Sequence, residues 1–120
     1  MTFQPIERTE VRRPSSRSDR RFSVDQPIRV SFPASGLSPC AGMMRDISRR
    51  GMLIYCAHEL WVGARVRVDW RGKITSGFVR HHGEREGFFY AGIELLADDE
   101  SLVLDVLAQQ VADLQAKLAC

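Results

Sequence analysis

No close pair of cysteines occurs in this chain of 120 residues. Cys40, Cys56 and Cys120 form an odd and widely spaced set, which argues against a disulfide framework and against a zinc knuckle. No apolar run approaches the roughly 20 residues that a membrane-spanning helix needs, because charged residues interrupt each of them. The segment Met1–Glu10 lacks the apolar stretch of a signal peptide and carries Glu7 and Glu10 where a basic segment belongs, so the expected address is the cytoplasm. Catalytic signatures are missing too. There is no HExxH, CxxC, GxSxG or phosphate-cradling loop. His81 and His82 are adjacent, so in a strand they would face opposite sides and share no metal, and no pattern pairs a cysteine with a histidine. A non-enzyme without metal or cofactor is the expectation.

Lysine is scarce as well. Of 17 basic residues two are Lys and 15 are Arg, a bias that suits planar, bidentate recognition of phosphate or of a guanine edge. The net charge of +2 hides a gradient. Residues 1–50 hold ten Arg against five acids, whereas residues 98–120 hold Lys117 against five acids. What remains, 44% apolar and 27% charged, describes one ordinary soluble domain with a single core.

Residues 1–16 are polar, broken by Pro5 and Pro14, and read as a flexible Arg-rich arm. Period-two alternation then begins. Ile28, Val30 and Phe32 fall opposite Arg29 and Ser31. Met52–Tyr55 is a short apolar run, and Val66, Val68 and Trp70 oppose Arg65, Arg67 and Asp69. Arg71-Gly72 reads as a hairpin turn into a strand from Ile74 to Arg80. A loop containing Gly83 and Gly87 should lead to a last strand, Phe88–Leu95. About six short strands spaced by turn residues favour a small barrel or sandwich over a parallel sheet.

The period changes after residue 97. Asp98, Asp99, Glu100 and Ser101 supply capping oxygens. Leu104, Leu107, Val111, Leu114 and Leu118 recur at spacings of three and four. Docking of this helix on the barrel is the plain expectation, and a homodimer through the helix is the sharper one. The resulting division is 1–16 arm, 17–97 barrel and 98–120 helix.

Two motifs carry chemistry. Arg17-Ser18-Asp19-Arg20-Arg21 is an RxxxR element. The same spacing joins Arg8 to Arg12, Arg13 to Arg17, Arg45 to Arg49 and Arg67 to Arg71, so position must select the pair. Arg17 and Arg21 stand where the arm meets the first strand. The second motif, Asp46-Ile47-Ser48-Arg49-Arg50-Gly51, is a DxSxxG turn between two apolar strands. Asp46 offers a bidentate acceptor, Ser48 donates or accepts, and Gly51 permits positive φ or close backbone approach. The same three residues could equally cap their own turn.

Arg17-xxx-Arg21, then Asp46-x-Ser48-xx-Gly51 after 24 intervening residues, then Phe89–Leu95 (FYAGIEL) resemble, in this order, the PilZ domain, the bacterial receptor module for the second messenger cyclic di-GMP. The resemblance runs from about Arg17 to Leu96 and extends into the helix. It implies a mainly β fold, a small six-stranded antiparallel β-barrel with a C-terminal α-helix, in agreement with the periods above. It further implies that Arg17 and Arg21 grip the phosphates and the acceptor edge of guanine, while Asp46, Ser48 and Gly51 hold the opposite side of cyclic di-GMP. Guanine presents O6 and N7 as paired acceptors, a shape that Arg meets bidentately. Closure of the arm over the ligand, with a new surface offered to a downstream protein, is the expected mechanism. Two rivals stand beside it. One is a PilZ-like interaction module without ligand. The other is a small-barrel nucleic-acid binder, disfavoured because only Phe3 and Phe22 accompany the basic arm for stacking.

Overall fold

The structure, a computed structural model, describes residues 20–119. The expected arm at 1–16, Arg17 and Cys120 lie outside the described residues. Six antiparallel strands close into a barrel in the order β1-β2-β3-β6-β5-β4. They are β1 (Phe22–Ser31), β2 (Cys40–Ile47), β3 (Gly51–Cys56), β4 (Arg65–Trp70), β5 (Lys73–Arg85) and β6 (Phe88–Leu95), followed by helix α1 (Glu100–Leu118). The six-stranded barrel with its C-terminal helix is the architecture that the resemblance implies, and it decides for the barrel where strand periodicity left barrel and sandwich both open.

Alternation works as expected along β1 and β4. Val24, Ile28 and Val30 from one strand and Val66, Val68 and Trp70 from the other point inward to meet Met44, Ile47, Met52, Ile54, Val79 and Ile93. The Arg71-Gly72 hairpin forms as read. Both residues have positive φ, 52° and 87°, the mirror-image two-residue turn whose twist matches that of the strands. Glu86 and Gly87 repeat it between β5 and β6, with φ of 55° and 84°.

Two expectations need correction. β5 does not end at Arg80 but continues to Arg85, with Gly83 inside the strand rather than in a loop. The cause is a bulge. Val79 pairs with Ile93 and His81 with Gly92, leaving Arg80 as the extra residue. That insertion breaks the inside–outside alternation on which the strand reading depended.

The second correction concerns α1. Asp99 caps it as foreseen, its carboxylate accepting the Leu102 N–H at 3.0 Å. The buried residues are Leu102, Val103 and Val106, whereas Leu104, Val111, Leu114 and Leu118 stay exposed. The helix phase is fixed by a polar clamp as well as by apolar packing. Gln26 sits in the inward row of β1, 1% exposed. Its Nε2 donates to Gln110 Oε1 at 2.8 Å and to Asp113 Oδ2 at 2.9 Å, while its Oε1 accepts the Trp70 indole N–H at 3.0 Å. The Asp25 backbone N–H also donates to Gln110 Oε1, at 2.9 Å. Gln110 and Asp113, which look outward-facing in sequence, therefore mark the docked side. These hydrogen bonds hold the Asp113 carboxyl below the ordinary 3.8, Gln26 contributing most and Gln109 next.

Candidate ligand site

The DxSxxG segment forms the tight connection from β2 to β3, and its side chains are spent largely on holding that connection. The Ser48 N–H donates to the Gly51 carbonyl at 2.8 Å. Ser48 Oγ accepts from the N–H groups of Gly51 at 3.1 Å and Arg50 at 3.3 Å, and donates to the Gly51 carbonyl at 3.3 Å. Ser48 is only 2% exposed. Gly51 is required by close approach, not by positive φ, since a Cβ there would lie 2.5 Å from the Ile93 carbonyl oxygen. The turn backbone is tied to the end of β6 and the start of α1. The Arg50 carbonyl accepts from Leu95 N–H and the Arg49 carbonyl from Asp99 N–H, both at 2.8 Å. The guanidinium groups of Arg49 and Arg50 reach Asp98 at 3.6 and 3.7 Å. The loop that carries the motif thus shares its anchorage with the N-terminus of α1.

Arg21, just before β1, enters the same neighbourhood. Its Nη1 donates to Asp46 Oδ1 at 2.7 Å, and that oxygen also accepts the Leu53 N–H at 3.1 Å. The side chains of Arg21 and Asp46 are 54% and 23% exposed, so the pair is worth about 1 kcal/mol or less and an incoming anion can displace it.

Arg21, Ser48, Arg50 and Gly51 line a cleft of about 230 Å³ whose far wall is Arg80 and His81 of β5 with Gly92 and Glu94 of β6. Here the β5 bulge matters, because it places the two consecutive residues Arg80 and His81 beside one cavity. Arg80 Nε pairs with Glu94 at 2.9 Å. The His81 ring lies against Gly92, occupying the space where a β-carbon would be. Asp46 lines not this cleft but an adjoining depression of about 310 Å³, with Ser23, Asp25, Arg45, Tyr55 and Gln110. The Arg21–Asp46 pair therefore stands between the two. Three guanidinium groups border the cleft, and each is paired with a carboxylate, Arg21 with Asp46, Arg50 with Asp98 and Arg80 with Glu94.

A family model of the PilZ domain matches residues 12–112. The chain belongs to the PilZ domain family. PilZ domains are receptor modules for cyclic di-GMP, ligand-binding rather than generally catalytic. No curated protein matches this chain. The match extends through Ala112, so it takes in most of α1 as well as the barrel.

Within this PilZ domain, four of the five residues expected at the ligand are described, and Arg21, Asp46, Ser48 and Gly51 come together around the β2–β3 turn. The fifth, Arg17, lies outside the described residues. Sequence reasoning assigned no role to Arg50 and did not place Arg80, His81 or Glu94 at the cleft. The available signal was the stretch Val79-Arg80-His81-His82, where alternation stops without a turn residue. Trp61, Trp70 and Tyr90 do not line the cleft. Trp70 is buried, Tyr90 packs over Gly83, and Trp61 borders an apolar groove with Phe32 and Leu37. Among the described residues no cluster of three His, Cys, Asp or Glu could hold a metal, and no helix is long and apolar enough to cross a membrane. Cys56 is buried and its thiol donates to the His58 carbonyl at 3.2 Å; burial pushes its pKa from 9.0 up to about 11.

Proposed function

We propose that this protein is a cytoplasmic, non-catalytic receptor for cyclic di-GMP in which the arm at 1–16 closes over the dinucleotide and offers a new surface to a downstream protein. The observation that carries this reading is the gathering of Arg21, the Ser48–Gly51 turn and Arg80 around one cleft. Arg21 leaves Asp46 for the ligand, and Arg17, four residues upstream, supplies the second guanidinium. Ser48 and Gly51 act by shaping the turn, which packs closely on Ile93. His81, backed by Gly92, supplies a flat face against which guanine stacks. Freed from Arg21, Asp46 can meet the donor edge of guanine, in keeping with its acceptor-only chemistry.

Isothermal titration of cyclic di-GMP tests this, with Arg17→Ala and Arg21→Ala as variants and GTP as competitor. Each Arg contributes charge-assisted bonds worth about 1.5–3 kcal/mol, so each variant should weaken binding by roughly 10- to 150-fold. Excess GTP should not displace the ligand. Absence of heat from the folded wild type at high ligand would remove the receptor reading in favour of an interaction module. That alternative draws on the Arg21–Asp46 contact, which satisfies both residues without a ligand. Comparable, salt-sensitive affinity for single-stranded DNA or RNA would point to a nucleic-acid binder instead.

A further inference from the structure

The two ends of the barrel differ in charge. At the end where β1, β3 and β5 finish, the connection 33–39 (PASGLSP) holds no charged residue, and the connection 57–64 (AHELWVGA) holds one acid, Glu59. The connections at the other end, 48–50, 71–72 and 96–99, carry Arg49, Arg50, Arg71, Asp98 and Asp99. Exposed apolar side chains take the place of charge at the first end. Trp61 is 60% exposed, Val62 63% and Leu37 43%. They stand on ordered tips. The Ala64 N–H donates to the Trp61 carbonyl at 2.9 Å, and Gly63, with a φ of 88°, completes the tight turn. That turn is tied to β5, since the Gly63 N–H donates to the Val79 carbonyl at 2.8 Å and the Val79 N–H to the Ala64 carbonyl at 2.9 Å. Leu37 shares a groove with Trp61, and its N–H donates to Ser35 Oγ at 3.1 Å. The third connection at this end, Glu86-Gly87, borders a separate cavity with Tyr55 and Phe88.

Cations flank the tips. Arg65 lines the Trp61 groove, and its guanidinium carbon lies 5.8 Å from the Phe78 ring centroid. Arg67 follows on the outer side of β4, about 7 Å farther along the strand. Arg29 of β1 stands on the adjoining wall, opposite Asp69. All three are exposed, and none of them forms an ion pair among the described residues. The Asp69 carboxylate accepts the Gly72 N–H at 2.9 Å instead.

We propose that this end of the barrel docks on an anionic membrane surface, with Trp61, Val62 and Leu37 entering the boundary between headgroups and acyl chains and Arg65 and Arg67 on lipid phosphates. An aromatic ring with a polar N–H suits that boundary. Arg lays its stem along apolar surface while its guanidinium reaches a phosphate. The shape favours a bilayer over a protein partner, because a protruding tip needs no complementary socket in lipid. Its lack of charge means that entry desolvates no ion at the tip itself. The turn is already folded, so binding carries little ordering cost. Such contact is attachment at the surface, distinct from spanning. It stands apart from the cyclic di-GMP reading, since Trp61, Val62, Arg65 and Arg67 all lie outside the lining of the ligand cleft.

Co-sedimentation of the full chain with vesicles tests this, comparing phosphatidylcholine alone with an equal mixture of phosphatidylcholine and phosphatidylglycerol. Binding is expected to the mixed vesicles and should weaken with added salt. Trp70 is 4% exposed, so a blue shift of tryptophan emission on binding reports Trp61. The double variant Trp61→Ala/Val62→Ser should weaken binding by at least ~10-fold. Arg65→Gln and Arg67→Gln should each weaken it by roughly 5-fold, the worth of one basic residue near an anionic surface. These side chains are solvent-exposed, so thermal melts of the variants should stay close to the wild type and separate lost binding from lost folding. A wild type that ignores the mixed vesicles overturns the proposal and leaves this end to a protein partner. Equal affinity for phosphatidylcholine alone overturns the part given to Arg65 and Arg67. Association that leaves the emission unchanged and survives Trp61→Ala/Val62→Ser overturns it as well, and would move the contact to the Arg-rich residues 8–21.

Discussion

Replacing Gln26 by leucine is the most incisive test of how helix and barrel are joined. The side chain is 1% exposed and makes three hydrogen bonds, to Trp70, Gln110 and Asp113. Leucine fills a similar volume but leaves the Trp70 indole N–H buried without an acceptor, a loss of about 1–3 kcal/mol. Gln110 and Asp113 are partly exposed and regain water, so their bonds add only about 0.5–1 kcal/mol. The sum is about 2–4 kcal/mol. With an unfolding entropy near 2.1 cal/mol/K per residue, that lowers the melting temperature of a chain this size by about 8–16 °C. Chemical denaturation of Gln26→Leu, Trp70→Phe and the double variant gives the coupling directly. Removing both partners leaves no orphaned donor, so the double variant should be more stable than additivity predicts by about 1–2 kcal/mol. A Gln26→Leu cost below about 0.5 kcal/mol, or strict additivity with Trp70→Phe, would refute the clamp as the link that sets helix phase.

Gly51→Ala should destabilise the domain by roughly 1–3 kcal/mol in urea melts, because its Cβ would press on the Ile93 carbonyl at 2.5 Å; an unchanged midpoint would mean that β3 and β6 separate easily at this point. Gly92→Ala should expel the His81 ring from its seat and weaken cyclic di-GMP binding about as much as His81→Ala, with His81→Phe retaining most of the affinity; equal binding by all three variants would discard the stacking role. For Cys56 the folded pKa stands above the ordinary 9.0, at about 11. The native state therefore holds its proton where the unfolded state loses it, so stability falls as pH rises from about 9 to 11 and is unaffected by this group below that window. The stability curves of wild type and Cys56→Ala should run parallel below about pH 9, with the wild type alone losing further stability between about pH 9 and 11; curves that stay parallel through that window would refute the raised pKa. Asp113, with its pKa lowered, contributes stability above the carboxylate range that is lost as the pH falls through its folded pKa; amide protection factors in the second half of α1, corrected for the intrinsic pH dependence of exchange, should fall in acid, and Asp113→Asn should abolish that dependence.

The local pattern of this chain was enough for much of the outcome. Alternation in β1 and β4, the Arg71-Gly72 turn, the Asp99 cap and the change of period near residue 98 depend on neighbours within a few residues, which a sequence displays. Tertiary structure decided the rest. Arg80 and His81 join Arg21 at one cleft only because a bulge in β5 and the β5–β6 pairing bring them there, and neither is written in the residues' own spacing. Ser48 and Asp46 are polar residues in a motif on paper, but only the folded turn reveals that one is buried in its own hydrogen bonds and the other is shared between Arg21 and Leu53. The helix makes the same point. Its apolar repeat is legible in one dimension, but which face meets the barrel was settled by Gln26, some 84 residues away from Gln110. A buried amide needs partners wherever the fold can supply them, so the contact that orients the helix is set by three-dimensional proximity and leaves no period in the sequence.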